Sequence, residues 1–199
     1  VMSSPRAKGV FPERHPLFLG VTGLGGYGQV EDHLRANRPD HILVLGTRLG
    51  ESTSYWQQDF VPARSFIHVD IDPQVPGTAY TNVTTHAVHA DTKAFLADLL
   101  RAWPSAHVRS TSADALTAGD SLPAPPESSI RAVEPRAGTS QAPAARRDGP
   151  IRAGVSMDAI QRIVVEPGDT LVMAEPGNAF AWCNHHLRFS EPGRYRVSV

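Results

Sequence analysis

The chain has 199 residues, 19 basic and 20 acidic side chains, a formal net charge of −1 and 41% hydrophobic residues. That length holds one domain and part of a second, and the apolar share suffices for a buried core. The charge balance gives no electrostatic case for nucleic acid or an anionic membrane as partner.

The one cysteine, Cys183, excludes an intrachain disulfide and fits a reducing compartment. No apolar run approaches the ~20 residues that span a bilayer. The opening Val1-Met2-Ser3-Ser4-Pro5-Arg6 lacks the apolar stretch of a signal peptide. These features predict a cytoplasmic protein. A first residue other than Met predicts a start lying elsewhere.

Three zones follow one another. Residues 1–103 alternate apolar runs with glycine-rich turns and helical patterns. Within them, Gly23-Leu24-Gly25-Gly26-Tyr27-Gly28 opens a helix expected over residues 27–37, which Arg38-Pro39 ends. The runs from His41 to Gly46 and from Phe66 to Asp72 read as strands of a parallel sheet, apolar without strict alternation because both faces are buried. A third strand is expected around residues 83–88. Asp91 caps a helix with Phe95, Leu96, Leu99 and Leu100 on one face, and Pro104 stops it.

Residues 104–155 are rich in Pro, Ala, Ser and Arg. Such a composition cannot bury enough apolar surface to offset chain entropy and reads as a linker. Residues 156–199 return to a regular pattern. Ser156 is expected to cap a helix carrying Met157, Ile160, Ile163 and Val164. The run from Thr170 to Glu175 reads as a buried strand, followed by the turn Pro176-Gly177-Asn178 and a helical stretch. Tyr195 to Val199 reads as a further strand.

The expected fold is therefore α/β: a partial doubly wound parallel sheet, then the first β/α elements of a second α/β domain. A sheet of so few strands, and a chain that stops within a strand, predict a piece of a longer polypeptide.

Three places can carry chemistry. The glycine turn at residues 23–26 offers close backbone approach and a helix N-terminus to an anion, or is a tight structural turn. The strand ends present Gly46, Thr47 and Arg48 on one side and Asp70, Ile71 and Asp72 on the other. Ligands of open α/β sheets bind beyond such carboxyl ends. Equally, the two aspartates cap a turn before Pro73, with Arg48 as their partner. The third place is the strand–turn–helix junction Glu175-Pro176-Gly177-Asn178-Ala179-Phe180, which suits a diphosphate or is an ordinary connection. Adjacent His185 and His186 point about 100° apart on a helix and make a poor metal pair. Cys183 reads as a buried structural thiol. No catalytic residue and no metal ligand is assigned.

The order Lys8-Gly9-Val10-Phe11-Pro12-Glu13-Arg14-His15-Pro16-Leu17, Gly23-Leu24-Gly25-Gly26, Leu43-Val44-Leu45-Gly46-Thr47-Arg48-Leu49, Ile67-His68-Val69-Asp70-Ile71-Asp72-Pro73 and Ala90-Asp91 resembles the central domain of acetolactate synthase-like, thiamine-diphosphate-dependent enzymes. Residues 157–198 resemble the opening of the pyrophosphate-binding domain of that family. The resemblance implies diphosphate contacts from Gly177, Asn178 and Ala179, with Ala179 standing where a serine is common.

As in the flavin-binding members, it also implies an optional FAD or ADP on Gly23, Leu24, Gly25, Gly26, Gly46, Arg48, Asp70, Ile71 and Asp91. The sequence departs from those members at Gly25, where histidine is common, and at Ala90, where glycine is. For the parent protein the resemblance implies thiamine diphosphate and Mg²⁺, a 2-oxo acid substrate, and a homodimer or homotetramer. It places the family's ylide-forming glutamate and its Gly-Asp-Gly magnesium motif outside these 199 residues, so this chain alone is expected not to turn over. The alternative is a stand-alone, non-catalytic nucleotide-binding or assembly module; a split enzyme completed by another chain is a third possibility.

Overall fold

A computed structural model describes residues 1–103 and 151–197. The expected linker lies, from residue 104 to residue 150, outside the described residues. The architecture is α/β, and every strand pair within it is parallel.

The main sheet has three strands: β3 (His41–Leu45), β4 (Ser65–Asp70) and β5 (Thr85–His89), in the order β3-β4-β5. Ile42 faces Phe66 in register and Val69 faces Val88. A small parallel pair, β1 (Met2–Ser3) with β2 (Gly20–Val21), lies ahead of it. Sequence pattern misses this pair because two residues are too few for a period.

Helix α1 (Gly28–Ala36) follows the glycine turn and buries Val30 and Leu34, one turn apart on one face. They pack with Val21, Tyr27, Val44, Phe60, Phe66 and Tyr80 into the first core. A short helix α2 (Glu51–Ser54) leads from β3 toward β4. Helix α3 (Thr92–Ala102) starts where the sequence places it, with Asp91 Oδ1 accepting the Ala94 N–H at 2.9 Å. Its apolar face is less covered than expected: no residue of α3 is buried, and Leu100 is 72% exposed. The cause is that a three-stranded sheet offers the helix β4 and little else to pack on.

The second unit is built from α4 (Ala153–Ile160), β6 (Val172–Ala174), α5 (Asn178–His186) and β7 (Tyr195–Val197). Helix α4 begins before Ser156, which corrects the expected cap. The Ser156 N–H donates to the Arg152 carbonyl at 3.2 Å, an i to i−4 bond that puts Ser156 inside the helix, and extended Arg152 takes the cap position. The start of this unit therefore falls within the stretch read as linker.

Beyond Ile160 the helix widens into a π-turn, Gln161–Val165, closed by the Glu166 N–H on the Gln161 carbonyl at 2.9 Å. Gln161 also clasps the Arg188 backbone, accepting its N–H at 2.9 Å and donating to its carbonyl at 3.3 Å. β6 and β7 pair in register, Val172 with Tyr195 and Ala174 with Val197. The core of this unit is Ala174, Phe180, Cys183, Leu187, Phe189 and Tyr195.

The two units share a seam. The Glu13 N–H donates to the Phe189 carbonyl at 3.0 Å, and the Phe189 N–H donates to Glu13 Oε2 at 3.2 Å. The Gly193 N–H reaches the Gly9 carbonyl at 3.3 Å. The seam thus joins positions far apart in sequence, and the glycine turn lies beside it.

Candidate functional site

The junction after β6 is the first site to build. Ala174 ends the strand buried, and residues 175–179 are exposed. Gly177 takes φ +120°, in the range L side chains rarely adopt, and a Cβ built there meets nothing within 4 Å. The turn is open, and α5 starts from it with no side-chain cap. Asn178 and Ala179, the first residues of a nine-residue helix, are exposed, and the positive end of its dipole lies at the turn. This arrangement can accept a diphosphate on backbone N–H groups. The side chain at Ala179 contributes no hydroxyl.

The second site is the carboxyl edge of the three-stranded sheet. The parallel register brings the ends of β3, β4 and β5 together, so Gly46, Asp70, Ile71 and Asp91 lie along one rim. Their polar groups are used within the chain. Asp70 is buried and its Oδ1 accepts the Asp72 N–H at 2.9 Å. Asp72 in turn pairs with Arg48 at 3.3 Å and takes the Gln74 N–H at 3.0 Å. Asp91 caps α3. Ile71 is 69% exposed, and its carbonyl meets His89 Nε2 at 2.9 Å. Both aspartates thus cap the turn around Pro73, and Arg48 pairs with Asp72 and not with Asp70. Gly46, at φ +58°, has only the Thr92 hydroxyl near its α-carbon face.

The glycine turn at residues 23–26 is the third. A Cβ on Gly23 would stand 2.1 Å from the Ser52 carbonyl oxygen, and one on Gly25 would stand 2.4 Å from the Ala181 carbonyl oxygen. The Leu24 N–H donates to Ser52 O at 2.9 Å, the Gly26 N–H to Gly23 O at 2.8 Å and the Tyr27 N–H to Val21 O at 2.8 Å. The glycines are therefore required by the chain's own backbone, which approaches from α2 on one side and α5 on the other. Sequence reading identified the turn but had no signal for what fills it.

One cluster escaped the sequence reading. Lys8 and Glu13 both have fully buried side chains, and Lys8 Nζ donates to Glu13 Oε1 at 2.9 Å, to Oε2 at 3.0 Å and to the Tyr27 hydroxyl at 3.0 Å. The ammonium lies 5.5 Å from the Tyr27 ring centre and 5.8 Å from that of Phe189. The Arg188 guanidinium covers the Tyr27 ring at 4.0 Å.

Burial pulls the Lys8 ammonium down to about 8, against the raising influence of Glu13. Burial raises the phenols of Tyr27 and Tyr195 and the thiol of Cys183. Cys183 is accordingly a packed, inert side chain. Among the described residues no group of three or more His, Cys, Asp and Glu stands together to hold a metal ion. No helix of the described residues is long and apolar enough to cross a membrane.

The lysine shift has a measurable consequence. Its folded pKa lies below the unfolded value, so above pH 8 the native state releases a proton that the unfolded chain keeps until about pH 10.4. Unfolding then takes up a proton, and stability rises with pH through that window. The slope approaches about 1.4 kcal/mol per pH unit at its steepest. The two raised phenols reverse the trend above about pH 10, where the unfolded tyrosines ionise and the folded ones do not. Urea unfolding at pH 7.5, 9, 10 and 11 is expected to show a rise and then a fall. Lys8→Met is expected to remove the rise, and an unchanged slope in that variant would refute the assignment.

Residues 1–99 match the family model described as thiamine pyrophosphate enzyme, central domain. Acetolactate synthase of Arthrospira platensis is 30% identical over 102 residues, covering 51% of this chain and 17% of that protein. The probable acetolactate synthase large subunit of Methanocaldococcus jannaschii is 33% identical over 103 residues, 51% of this chain and 17% of its own length. Acetolactate synthase of Mycobacterium avium is 31% identical over 101 residues, 50% and 16% of the two chains. The matched stretch spans about one-sixth of the length of these relatives.

Proposed function

Because residues 1–99 belong to the thiamine pyrophosphate enzyme family as its central domain, we propose that this chain is part of a thiamine-diphosphate-dependent enzyme of the acetolactate synthase type. The enzyme decarboxylates a 2-oxo acid such as pyruvate and passes the acyl-anion equivalent to an acceptor. It works in the cytoplasm as a homodimer or homotetramer.

The observation that carries the reading is the open junction at Gly177. A parallel strand delivers the chain to a glycine at positive φ, and a helix without a side-chain cap starts there on exposed residues. Gly177, Asn178 and Ala179 would hold the diphosphate through backbone N–H groups, and the dipole of α5 favours its charge. Bound thiamine diphosphate supplies the stabilised carbanion, which is cofactor chemistry. The chain's part is to bind and orient it. The Mg²⁺ that accompanies a diphosphate finds no cluster of acidic or histidine ligands among the described residues, and the reading assigns it none of them. No residue of the chain is given a catalytic role.

The test uses the whole 199-residue chain. Trp182 lies one helical turn beyond Asn178 and is 42% exposed, so its fluorescence reports on the junction. Thiamine diphosphate is expected to change that signal in a saturable way, and Gly177→Val to weaken the effect at least tenfold. With pyruvate and Mg²⁺ added, this chain alone is expected to release no carbon dioxide. A flat titration up to millimolar cofactor would reject the diphosphate site, and steady carbon dioxide release would reject the division of labour.

A further inference from the structure

Helix α5 carries the open junction at its first turn and meets the glycine turn near its last. Gly25 has no Cβ, and the Ala181 carbonyl occupies the space one would need, 2.4 Å from where it would stand. The fully buried Asn184 donates from Nδ2 to the Leu24 carbonyl at 3.1 Å. His185 Nδ1 stands 3.3 Å from the Gly26 carbonyl, and the His185 ring meets Tyr27 edge to face at 6.4 Å. Asn184 Oδ1 is buried with no partner among the described residues, so the single bond to Leu24 orients the amide. On the far side of the turn the Leu24 N–H is held by Ser52, and the Gly26 and Tyr27 amides are spent within the turn. A nucleotide diphosphate seated on residues 23–26 would find those three donors taken, and would need the space that α5 fills.

We propose that residues 23–26 are a socket for helix α5 rather than a nucleotide seat, and that Asn184 is a positioning residue which fixes the helix in it. Because α5 is short and continuous from Asn178 to His186, fixing its last turns fixes the direction in which the amides at residues 177–179 point. The socket stands on geometry alone, and its consequence for thiamine diphosphate rests on the function proposed above. Small residues on both sides are what permit the contact: a side chain at Gly25 would push α5 off the turn. The hydrogen bond of Asn184 adds direction, since the buried amide donor has the Leu24 carbonyl as its partner.

The experiment measures amide hydrogen exchange, residue by residue, in the whole chain and in Asn184→Ala and Asn184→Asp. The aspartate variant keeps the size and loses the donor. In both variants the amides of α5 and its C-cap, such as those of Ala181 and Leu187, are expected to exchange at least tenfold faster, while those of β3, β4 and β5 keep their rates. Thiamine diphosphate affinity is expected to fall at least tenfold in the same variants. If the unaltered chain binds no thiamine diphosphate, the functional reading fails and the exchange comparison still decides the socket.

Unchanged α5 exchange in Asn184→Asp would show that packing alone seats the helix and would overturn the role of Asn184. A second measurement needs no variant: ADP and FAD are titrated into the unaltered chain. Neither is expected to bind. Saturable one-to-one binding that slows exchange at residues 23–26 would overturn the socket.

Discussion

Glu13→Ala is expected to destabilise the chain by about 3–5 kcal/mol at pH 7, the usual cost of removing one partner from a buried ion pair. The carboxylate accepts three hydrogen bonds: two from the Lys8 ammonium and one from the Phe189 N–H. Deleting it leaves Lys8 with the Tyr27 hydroxyl as its remaining polar partner in a site closed to water, and leaves a buried amide without an acceptor. Glu13→Gln should cost less than alanine, because its amide oxygen can still accept from Lys8 and Phe189, although the charge is lost and its NH2 group replaces the oxygen that took the second Lys8 contact.

The double variant Lys8→Met, Glu13→Gln removes the charges together and is expected to recover most of the loss, as buried pairs replaced jointly tend to do. Urea unfolding of the unaltered chain, Lys8→Met, Glu13→Gln and the double variant measures the cycle, with Glu13→Ala measured beside them. Equal losses for Ala and Gln would show that the charge, not the acceptor for Phe189, sets the cost. A loss under about 1 kcal/mol for the alanine variant would show that the pair is solvated.

Why this cluster was invisible in the sequence is a matter of range. Lys8 and Glu13 are five residues apart in a proline- and glycine-containing stretch, where isolated charges ordinarily face water. What buries them is Phe189, whose amide reaches Glu13 across 176 residues of sequence. No local pattern encodes that approach. Strand β4 was legible because burial on both faces makes a continuous apolar run; β3 shows a similar run, but its Leu43 is 42% exposed, so burial on both faces does not hold there, and α3 was legible from its Asp91 cap. Helix α4 was misplaced because Ser156 has the chemistry of a cap but sits where its N–H already has a helical partner in Arg152.

The candidate sites divide in the same way. The turn at Gly177 was legible from the strand–turn–helix order, which is local, and a Cβ there would meet nothing within 4 Å. At the sheet rim the residue types suggest a ribose and phosphate site, yet Asp70, Asp72, Arg48 and Asp91 are engaged with one another and with backbone amides. The glycines at residues 23–26 announce a close approach without saying by what. Sequence supplies the permission for contact, and only the fold supplies the partner.

Gly25→Ala tests that last point and carries the other large effect. The position has φ +68°, where an L side chain costs roughly 1–2 kcal/mol. The added methyl would also stand 2.4 Å from the Ala181 carbonyl oxygen and 2.9 Å from its α-carbon, so backbone must move, at a further ~1–3 kcal/mol. The expected total is about 2–5 kcal/mol. Gly28→Ala serves as the contrast. It lies in α1, outside the positive-φ range, and an added Cβ meets nothing within 4 Å. There the lower entropy of the unfolded chain should make alanine neutral or stabilising by about 0.5–1 kcal/mol.

Chemical denaturation compares the three proteins, and hydrogen exchange locates the damage. In Gly25→Ala the α5 amides should lose protection first, because the helix can lift from the turn at a smaller cost than the turn can be rebuilt between Ser52 and Ala181. If Gly25→Ala instead lost only the strain energy and left α5 protected, the helix would not be seated on this turn. The glycine would then serve the turn's own conformation alone.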